Sequence, residues 1–388
     1  MVVFHAMETI GYHIKVVLLP LLAFGVLFGC SNDGSYYENT PQKILHPYSV
    51  TDEVFDLSSY ISELDVIPLV NDTLAFKGIT KLLISDKYFF LTGGIAFSAS
   101  LEGNDLRMLG NVGRGPGEYL SIKDIALSPD GKELWCVELY NSVLRYNTED
   151  GIFLGKVSIS KDIGYVKGII PISPTEFALY SPNPTSGYCL KIYDFDGRVK
   201  KSGMPYSQFN FDMGFSVPTT VSDGTTYAIS PESKMPTVVY RQGQPDMLLV
   251  FDFGRKAVPD KYYSLSQENP WNNLGEMFEQ DCLKQVSSVF FPNNDICFRV
   301  FGKDSSSWNY YMNKDGTRGI RWQSIGVMAP PICPIASAEG YVYFPYDDYG
   351  FLSLEEEKDP LKKIVIGKYG LPEHPGKTYI IKARFDVK

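Results

Sequence analysis

Short apolar segments separated by polar turns run through most of this sequence, and they predict strands rather than helices. One template occurs six times: an apolar segment, a polar turn of two to six residues, and a second apolar segment. The clearest copies are Lys81–Ile84 with Tyr88–Leu91, and Ile125–Leu127 with Leu134–Val137. Segments of this length, bounded by Ser, Pro, Asn, Asp and Gly, are typical of β-hairpins.

The six turns recur at a nearly regular spacing. They begin at Ser85, Ser128, Ser173, Ser222, Pro292 and Ser337. The intervals are 43, 45, 49, 70 and 45 residues, so four of the five lie near the length of about 45 residues of a four-stranded propeller blade. The spacing predicts an all-β fold, a six-bladed β-propeller of four-stranded antiparallel blades. A β-sandwich is the alternative, but it would not need so regular a spacing.

Three further patterns refine this prediction. Asp-Gly pairs at 150–151, 196–197 and 315–316 lie between strand-like segments and predict the outer hairpins of three blades. Closure of the ring requires the chain ends to meet, so Asp65–Val70 and Tyr379–Phe385 should share or adjoin a blade. The 70-residue interval contains an insertion, in which Trp271–Val286 is the best helical candidate.

The N-terminal residues have the pattern of an export signal. Residues 14–29 contain one Lys and then an apolar run that is short for a membrane-spanning helix. The run ends in Leu27-Phe28-Gly29-Cys30, which resembles a bacterial lipobox, whose Cys is lipidated and becomes the first mature residue. A plain signal peptide or an uncleaved anchor is the alternative. The predicted organisation is a signal peptide over 1–30, a polar tether over 31–55, and the propeller over 56–388.

The net charge of the chain narrows the choice of binding partners. The net charge is -9 and no basic stripe occurs, so nucleic acid is not an expected partner. A membrane, through lipidated Cys30, and an unknown protein or glycan are the expected partners.

Most of the other five cysteines have strongly apolar neighbours, which favours buried free thiols over disulfides. An exported protein could contain either.

The most distinctive stretch is Gly113-Arg114-Gly115-Pro116-Gly117-Glu118-Tyr119. Three Gly and one Pro in seven residues exclude a helix interior or a central strand, so this stretch should connect the first two blades. Together with the repeat and the lipobox, it resembles the six-bladed β-propeller lipoproteins of Bacteroidetes, which are related to NHL-type propellers. The resemblance implies the fold and an outer-membrane location in the cell envelope. It supplies no catalytic residues.

Catalytic and metal-binding chemistry find little support in the sequence. A serine hydrolase is not favoured, because GxSxG is absent and only His46 and His374 lie beyond the export signal. Asp124, Asp347 and Asp348 could ligate Ca²⁺, the one cofactor considered, although no DxDxDG loop occurs and paired surface acids are usually solvated. Aromatic residues in predicted loops could bind sugars or a protein, or simply pack between blades.

These observations predict an envelope-anchored scaffold that binds a ligand or a protein, and the resemblance to the Bacteroidetes propeller lipoproteins implies a role linked to glycan or nutrient uptake. The alternative is a metal-dependent propeller enzyme, a lyase or hydrolase, with acidic ligands at the axis. Arg114, Glu118 and Tyr119 form a candidate structural or ligand-binding loop. The structural role is preferred, in which Arg114 ties the connection to a neighbouring blade and Tyr119 packs beneath it.

Overall fold

Strands account for most of the regular structure in the described part of the chain. The computed structural model describes residue 37 and the ranges 39–69, 79–139, 142–185, 187–205, 219–231, 235–259, 262, 276–277, 279–303, 307–324, 333–347, 360–369 and 378–387. Residues Asn39–Lys388 form one compact unit.

The strands are numbered in chain order. Strands β1 to β14 span Gln42–Leu45, Thr51–Glu53, Ile61–Leu69, Lys81–Ile84, Tyr88–Thr92, Ala96–Ser100, Arg107–Met108, Asn111–Val112, Glu118–Tyr119, Ile122–Leu127, Glu133–Glu138, Ser142–Asn147, Phe153–Ser158 and Gly168–Ser173. Strands β15 to β28 span Glu176–Tyr180, Tyr188–Asp194, Val199–Pro205, Thr219–Ser222, Thr226–Ile229, Thr237–Arg241, Gln244–Phe251, Val286–Phe290, Ile296–Phe301, Ser307–Met312, Gly319–Ser324, Ala336–Ala338, Tyr341–Asp347 and Thr378–Phe385. Helices α1 and α2 span Pro47–Val50 and Pro360–Tyr369, and short 3₁₀ helices span Lys161–Ile163, Gly254–Lys256 and Pro292–Asn294.

The first three blades are antiparallel sheets of four consecutive strands each. Blade 1 consists of β4 to β7, blade 2 of β10 to β13, and blade 3 of β14 to β17. In blade 2 the inner strand β10 is almost entirely buried, whereas partly buried and exposed positions alternate along the outer strand β13, in which only Val157 is buried. This gradient is expected when the inner strands line the axis and the outer strands form the rim.

Blades 4 and 5 each carry a fifth strand from the N-terminal segment. Blade 4 consists of β18 to β21 with β1 added in parallel, and blade 5 of β22 to β25 with β2 added in parallel. Residues 42–53, which the sequence analysis assigns to the tether, therefore belong to the propeller. They pair there because the outer edges of both sheets offer free backbone groups and because Leu45 packs into the apolar core between the two blades.

Blade 6 closes the ring with strands from both ends of the chain. Its order is β26, β27, β28 and then β3, and β28 pairs with β3 in an antiparallel register from Thr378 opposite Leu69 to Phe385 opposite Ile61. This pairing confirms the predicted meeting of the chain ends. The prediction of an all-β, six-bladed propeller is also confirmed, because all six inner hairpins form where the turn spacing places them.

The first strand of each blade lies innermost and contacts its neighbours around the axis. These contacts join β4 to β10, β10 to β14, β14 to β18, β18 to β22, and β26 to β4. Strand β18 also forms a parallel bridge to β26 between Ser222 and Ser337. The ring is therefore tight enough for two inner strands to hydrogen-bond directly.

Two helical segments depart from the simple repeat. Helix α2 is not predicted from the sequence, because its run Ile364-Val365-Ile366 is β-branched and favours a strand. It forms because Leu361, Ile364 and Val365 lie on one face and pack into the core of blade 6. Of the predicted helix 271–286, most of the first half lies outside the described residues, and Val286 begins β22. In the described segments, no helix is long and apolar enough to cross a membrane.

Five cysteines lie in the described ranges, and all are buried and outside disulfides, as the sequence analysis prefers. They are Cys136, Cys189, Cys282, Cys297 and Cys333. Burial raises the pKa of the Cys136 and Cys297 thiols far above its usual range. These thiols are therefore protonated and unreactive at neutral pH.

Candidate functional site

The glycine-rich connection between blades 1 and 2 folds around the side chain of Glu118. The Glu118 carboxylate accepts a hydrogen bond of 2.7 Å from the Gly115 amide. A Cβ atom added to Gly113 would lie only 2.1 Å from Glu118 Oε2, and one added to Gly115 would lie 3.0 Å from it. A larger side chain at Gly113 would displace the Glu118 carboxylate from this position.

Tyr119 fixes the same connection from beneath. Its buried hydroxyl donates to the Leu109 carbonyl at 2.8 Å and accepts from the Ala96 amide at 3.1 Å. Burial raises the pKa of Tyr119 far above its usual range, so the hydroxyl stays protonated and remains a donor. The Tyr146 hydroxyl of blade 2 donates to the Gly117 carbonyl at 3.1 Å. The connection thus joins blades 1 and 2 by hydrogen bonds on both sides.

Arg114 projects away from this network. Its side chain is exposed, and it makes no hydrogen bond or ion pair with any residue that the structure describes. The structural role that the sequence analysis assigns to the loop is carried by Glu118 and Tyr119. The guanidinium that was expected to tie the loop to a neighbouring blade has no partner within the described chain.

A buried ion pair lies at the propeller axis. Lys81 of blade 1 places its ammonium 2.7 Å from Asp124 Oδ1 of blade 2, and both side chains are at most 2% exposed. Asp124 Oδ2 also accepts hydrogen bonds from the Ile169 amide of blade 3 and the Thr219 hydroxyl of blade 4, at 2.8 and 2.5 Å. Burial lowers the pKa of Lys81, and the carboxylate of Asp124 opposes that shift. Four blades therefore meet at one carboxylate.

Asp124 is one of the three candidate metal ligands, but its carboxylate is already paired. The Lys81 ammonium lies beside it, in the place that a metal ion would have to occupy. The Asp347 side chain and Asp348 lie outside the described residues. Within the residues that can be described, no three His, Cys, Asp or Glu side chains form a group suited to a metal ion.

A polar cleft of about 580 Å³ opens on the face that carries the inner hairpin turns. Its walls come from three blades: the turns at 84–88 of blade 1, 127–132 of blade 2 and 223–225 of blade 4, with 147–149 from the outer turn of blade 2. Two of its lysines are already close to carboxylates, Lys87 at 2.9 Å from Glu149 and Lys132 at 3.9 Å from Asp130. The cleft offers hydroxyls, amides and carboxylates at its surface, which are groups that bind polar ligands.

The remaining residues considered in the sequence analysis are dispersed. His46 lies on the exposed rim with Nδ1 at 3.1 Å from Asp252, and Tyr262 and Tyr346 are buried. Cys30, His374, Trp271 and several loop tyrosines lie outside the described residues. Sequence reasoning missed Lys81 and the cleft. A Lys that begins the apolar strand Lys81–Ile84 is the one signal that could have indicated an axial ion pair.

Comparison with known proteins identifies the same architecture. A family model described as a 6-bladed beta-propeller, DUF5128, matches residues 42–319. A solved structure from Bacteroides fragilis NCTC 9343, described as a "Putative exported protein", is 15% identical, with a TM-score of 0.63 over 90% of this chain and 100% of that one. At this identity the similarity concerns the fold alone. No curated protein matches the sequence.

Two further structures show a weaker similarity. U3-55K and the RRP9 WD40 repeats are each 12% identical and cover 82% of this chain and 98% of their own, with TM-scores of 0.44 and 0.43. At these scores the similarity carries no argument about the present chain.

Proposed function

Because this chain belongs to the 6-bladed beta-propeller family DUF5128, we propose that it is a binding module of the cell envelope that holds a polar ligand in the cleft on its turn face. The observation that carries this proposal is the composition of the cleft, whose walls combine side chains and backbone from three separate blades. Propellers commonly bind where loops of several blades converge, and a polar lining suits a hydroxyl-rich ligand.

The proposed location depends on the N-terminal sequence. The lipobox ending at Cys30 would place a lipid at the start of the mature protein, as in an outer-membrane lipoprotein. The structural similarity to a Bacteroides fragilis protein described as exported agrees with this assignment. A link to glycan or nutrient uptake is part of the proposal, because a neutral oligosaccharide would match the hydroxyl, amide and carboxylate groups of the cleft.

Lipidation is tested in cells by metabolic labelling with an alkyne fatty acid. We expect the wild-type protein to be labelled and to fractionate with the outer membrane, and the Cys30→Ser variant to lose the label. A wild-type protein that carries no label would contradict the anchor but would leave ligand binding untouched.

Ligand binding is tested on a glycan array with the wild-type protein and two cleft variants, Asp86→Ala and Lys132→Ala. Asp196→Ala is the matched control, since this exposed aspartate lies on an outer turn of blade 3 outside the cleft. We expect the cleft variants to lose binding and the control to retain it. Equal binding by all four proteins would exclude the cleft as the site.

A further inference from the structure

The cleft on the turn face is lined by more carboxylates than ammonium groups. Its charged side chains are four carboxylates and two ammonium groups, those of Asp86, Asp130, Glu149, Asp223, Lys87 and Lys132. The cleft is one cavity shared by three blades, so a ligand inside it lies within reach of groups from all three walls. The balance of these groups therefore decides which charge the cleft accepts.

Both lysines of the cleft are already close to a carboxylate. The Lys87 ammonium lies 2.9 Å from Glu149 Oε1, and the Lys132 ammonium lies 3.9 Å from Asp130 Oδ2. Within the described residues, no cation pairs with either of the other two carboxylates. The charge that a ligand meets in the cleft is therefore set by this unpaired pair.

The two unpaired carboxylates flank a contact between the inner turns of blades 1 and 4. Asp223 Oδ1 accepts a hydrogen bond of 2.8 Å from the Glu339 amide of blade 6, which fixes the side chain. A Cβ atom added to the next residue, Gly224, would lie 3.9 Å from the Ile84 carbonyl, two residues before Asp86. In the described part of the chain, Asp223 Oδ2 and the Asp86 carboxylate make no hydrogen bond, so both are available to a ligand.

The outer wall of the cleft is held in place from behind. Arg107 of blade 1 donates from Nε to the Ser98 hydroxyl at 2.9 Å and from Nη2 to the Thr148 carbonyl at 3.3 Å, on the outer turn of blade 2. Its positive charge lies behind this wall, and Glu339 beside the turn of blade 4 carries the opposite charge. The excess of carboxylates in the cleft therefore remains. A cleft with fixed walls loses little conformational freedom when a ligand binds.

We propose that the cleft binds a glycan that carries a free amino group, with the ammonium held by Asp86 and Asp223 and the hydroxyls held by the surrounding turns. This inference rests on the proposed ligand-binding function and names the ligand class. Carboxylates also accept hydrogen bonds from neutral hydroxyls, but a bond from an ammonium is charge-assisted and stronger. A glycan with carboxylate or sulfate groups would be repelled by the two unpaired acids.

The test compares the glucosamine tetramer with cellotetraose, which has the same backbone and a hydroxyl in place of each amino group. Calorimetric titration of the full-length protein in detergent uses a slightly acidic buffer, in which the amino groups are protonated and the carboxylates remain ionised. We expect the glucosamine tetramer to bind about 5-fold more tightly, as two partly solvated ion pairs would give, and added salt to reduce this preference. Tetragalacturonate, which is anionic, should not bind.

The double variant Asp86→Asn/Asp223→Asn removes both charges but keeps the acceptor for the Glu339 amide, and it should equalise the two affinities. Asp196→Asn is the matched control outside the cleft and should retain the preference, and melting temperatures show whether each variant is folded. Equal affinities in the wild type, a preference that survives in the double variant, or no binding of the glucosamine tetramer would each overturn the inference. If cellotetraose binds equally well and Lys132→Ala abolishes that binding, the proposed function stands and this inference fails alone.

Discussion

Removing one partner of the axial ion pair should destabilise the propeller more than any surface charge change. Asp124→Asn keeps an acceptor for the Ile169 amide and the Thr219 hydroxyl but removes the counter-charge of Lys81. Breaking a buried ion pair in this way typically costs about 3–5 kcal/mol. The unfolding entropy is about 2.1 cal/mol/K per residue, or about 0.7 kcal/mol/K for the compact unit Asn39–Lys388. A loss of about 4 kcal/mol therefore lowers the melting temperature by about 6 °C.

A double-mutant cycle separates the ion pair from the rest of the axis. Lys81→Met should cost a similar amount, because it leaves a buried carboxylate without a cation. The double variant Lys81→Met/Asp124→Asn should be more stable than either single variant, since neither charge then remains unpaired. Urea unfolding followed by circular dichroism, together with calorimetry, measures each free energy.

Two results would refute this reasoning. Single variants that unfold at the wild-type temperature would mean that the axis admits water or a counter-ion. A double variant whose loss equals the sum of the single losses would mean that Lys81 and Asp124 do not interact. Lys87→Met serves as a control, because its ion pair with Glu149 is largely exposed, and the melting temperature should not change.

Three further predictions concern other parts of the fold. Hydrogen bonds from Arg145 lower the pKa of Glu133 below its ordinary value of 4.5. The stability that Glu133 contributes is therefore present above pH 4.5 and is lost as the pH falls through the lowered pKa. Urea unfolding at several pH values should show that the free energy of unfolding of Glu133→Gln depends less on acid than that of the wild type. Gly117 and Gly131 both have a positive φ, but a Cβ atom would meet a neighbouring ring, that of Phe153, only at Gly117. Calorimetry should therefore show that Gly117→Ala loses about 1–3 kcal/mol more unfolding free energy than Gly131→Ala. Equal losses would argue against that clash. Leu45→Ala should cost about 2–5 kcal/mol in urea unfolding and exposed Ile44→Ala much less, and equal effects would mean that β1 is not docked.

The hairpins could be predicted from the sequence because several inner turns, those that begin at Ser85, Ser128 and Ser173, are held by a serine hydroxyl that bonds residues of the same turn. Ser85 shows why: its hydroxyl accepts from the amides of Lys87 and Tyr88 and donates to the Tyr88 carbonyl, so the turn is specified by residues that adjoin it. The same holds for Glu118 in the glycine-rich connection. Local patterns of this kind can be recognised in the sequence without knowledge of the rest of the fold.

The axial ion pair and the docking of β1 could not be predicted, because they depend on residues far apart in the chain. Asp124 and Thr219 are separated by 95 positions, and Leu45 reaches a core formed mainly by residues beyond 228. Helix α2 is a third case, since its β-branched run favours a strand until the core of blade 6 supplies a surface for one face. In all three the deciding energy comes from tertiary contact.

The shared construction of blade 6 has a consequence for how the protein is made. Strand β3 precedes the five other blades in the sequence and its partner β28 follows them, so β3 is synthesised long before β28. Until β28 emerges, both β3 and β27 present unpaired edges, and the ring cannot close. A prematurely terminated chain would keep those edges open and would be prone to aggregation. Closure of the ring must therefore await the synthesis of β28, so this eight-residue strand decides whether the whole propeller can form.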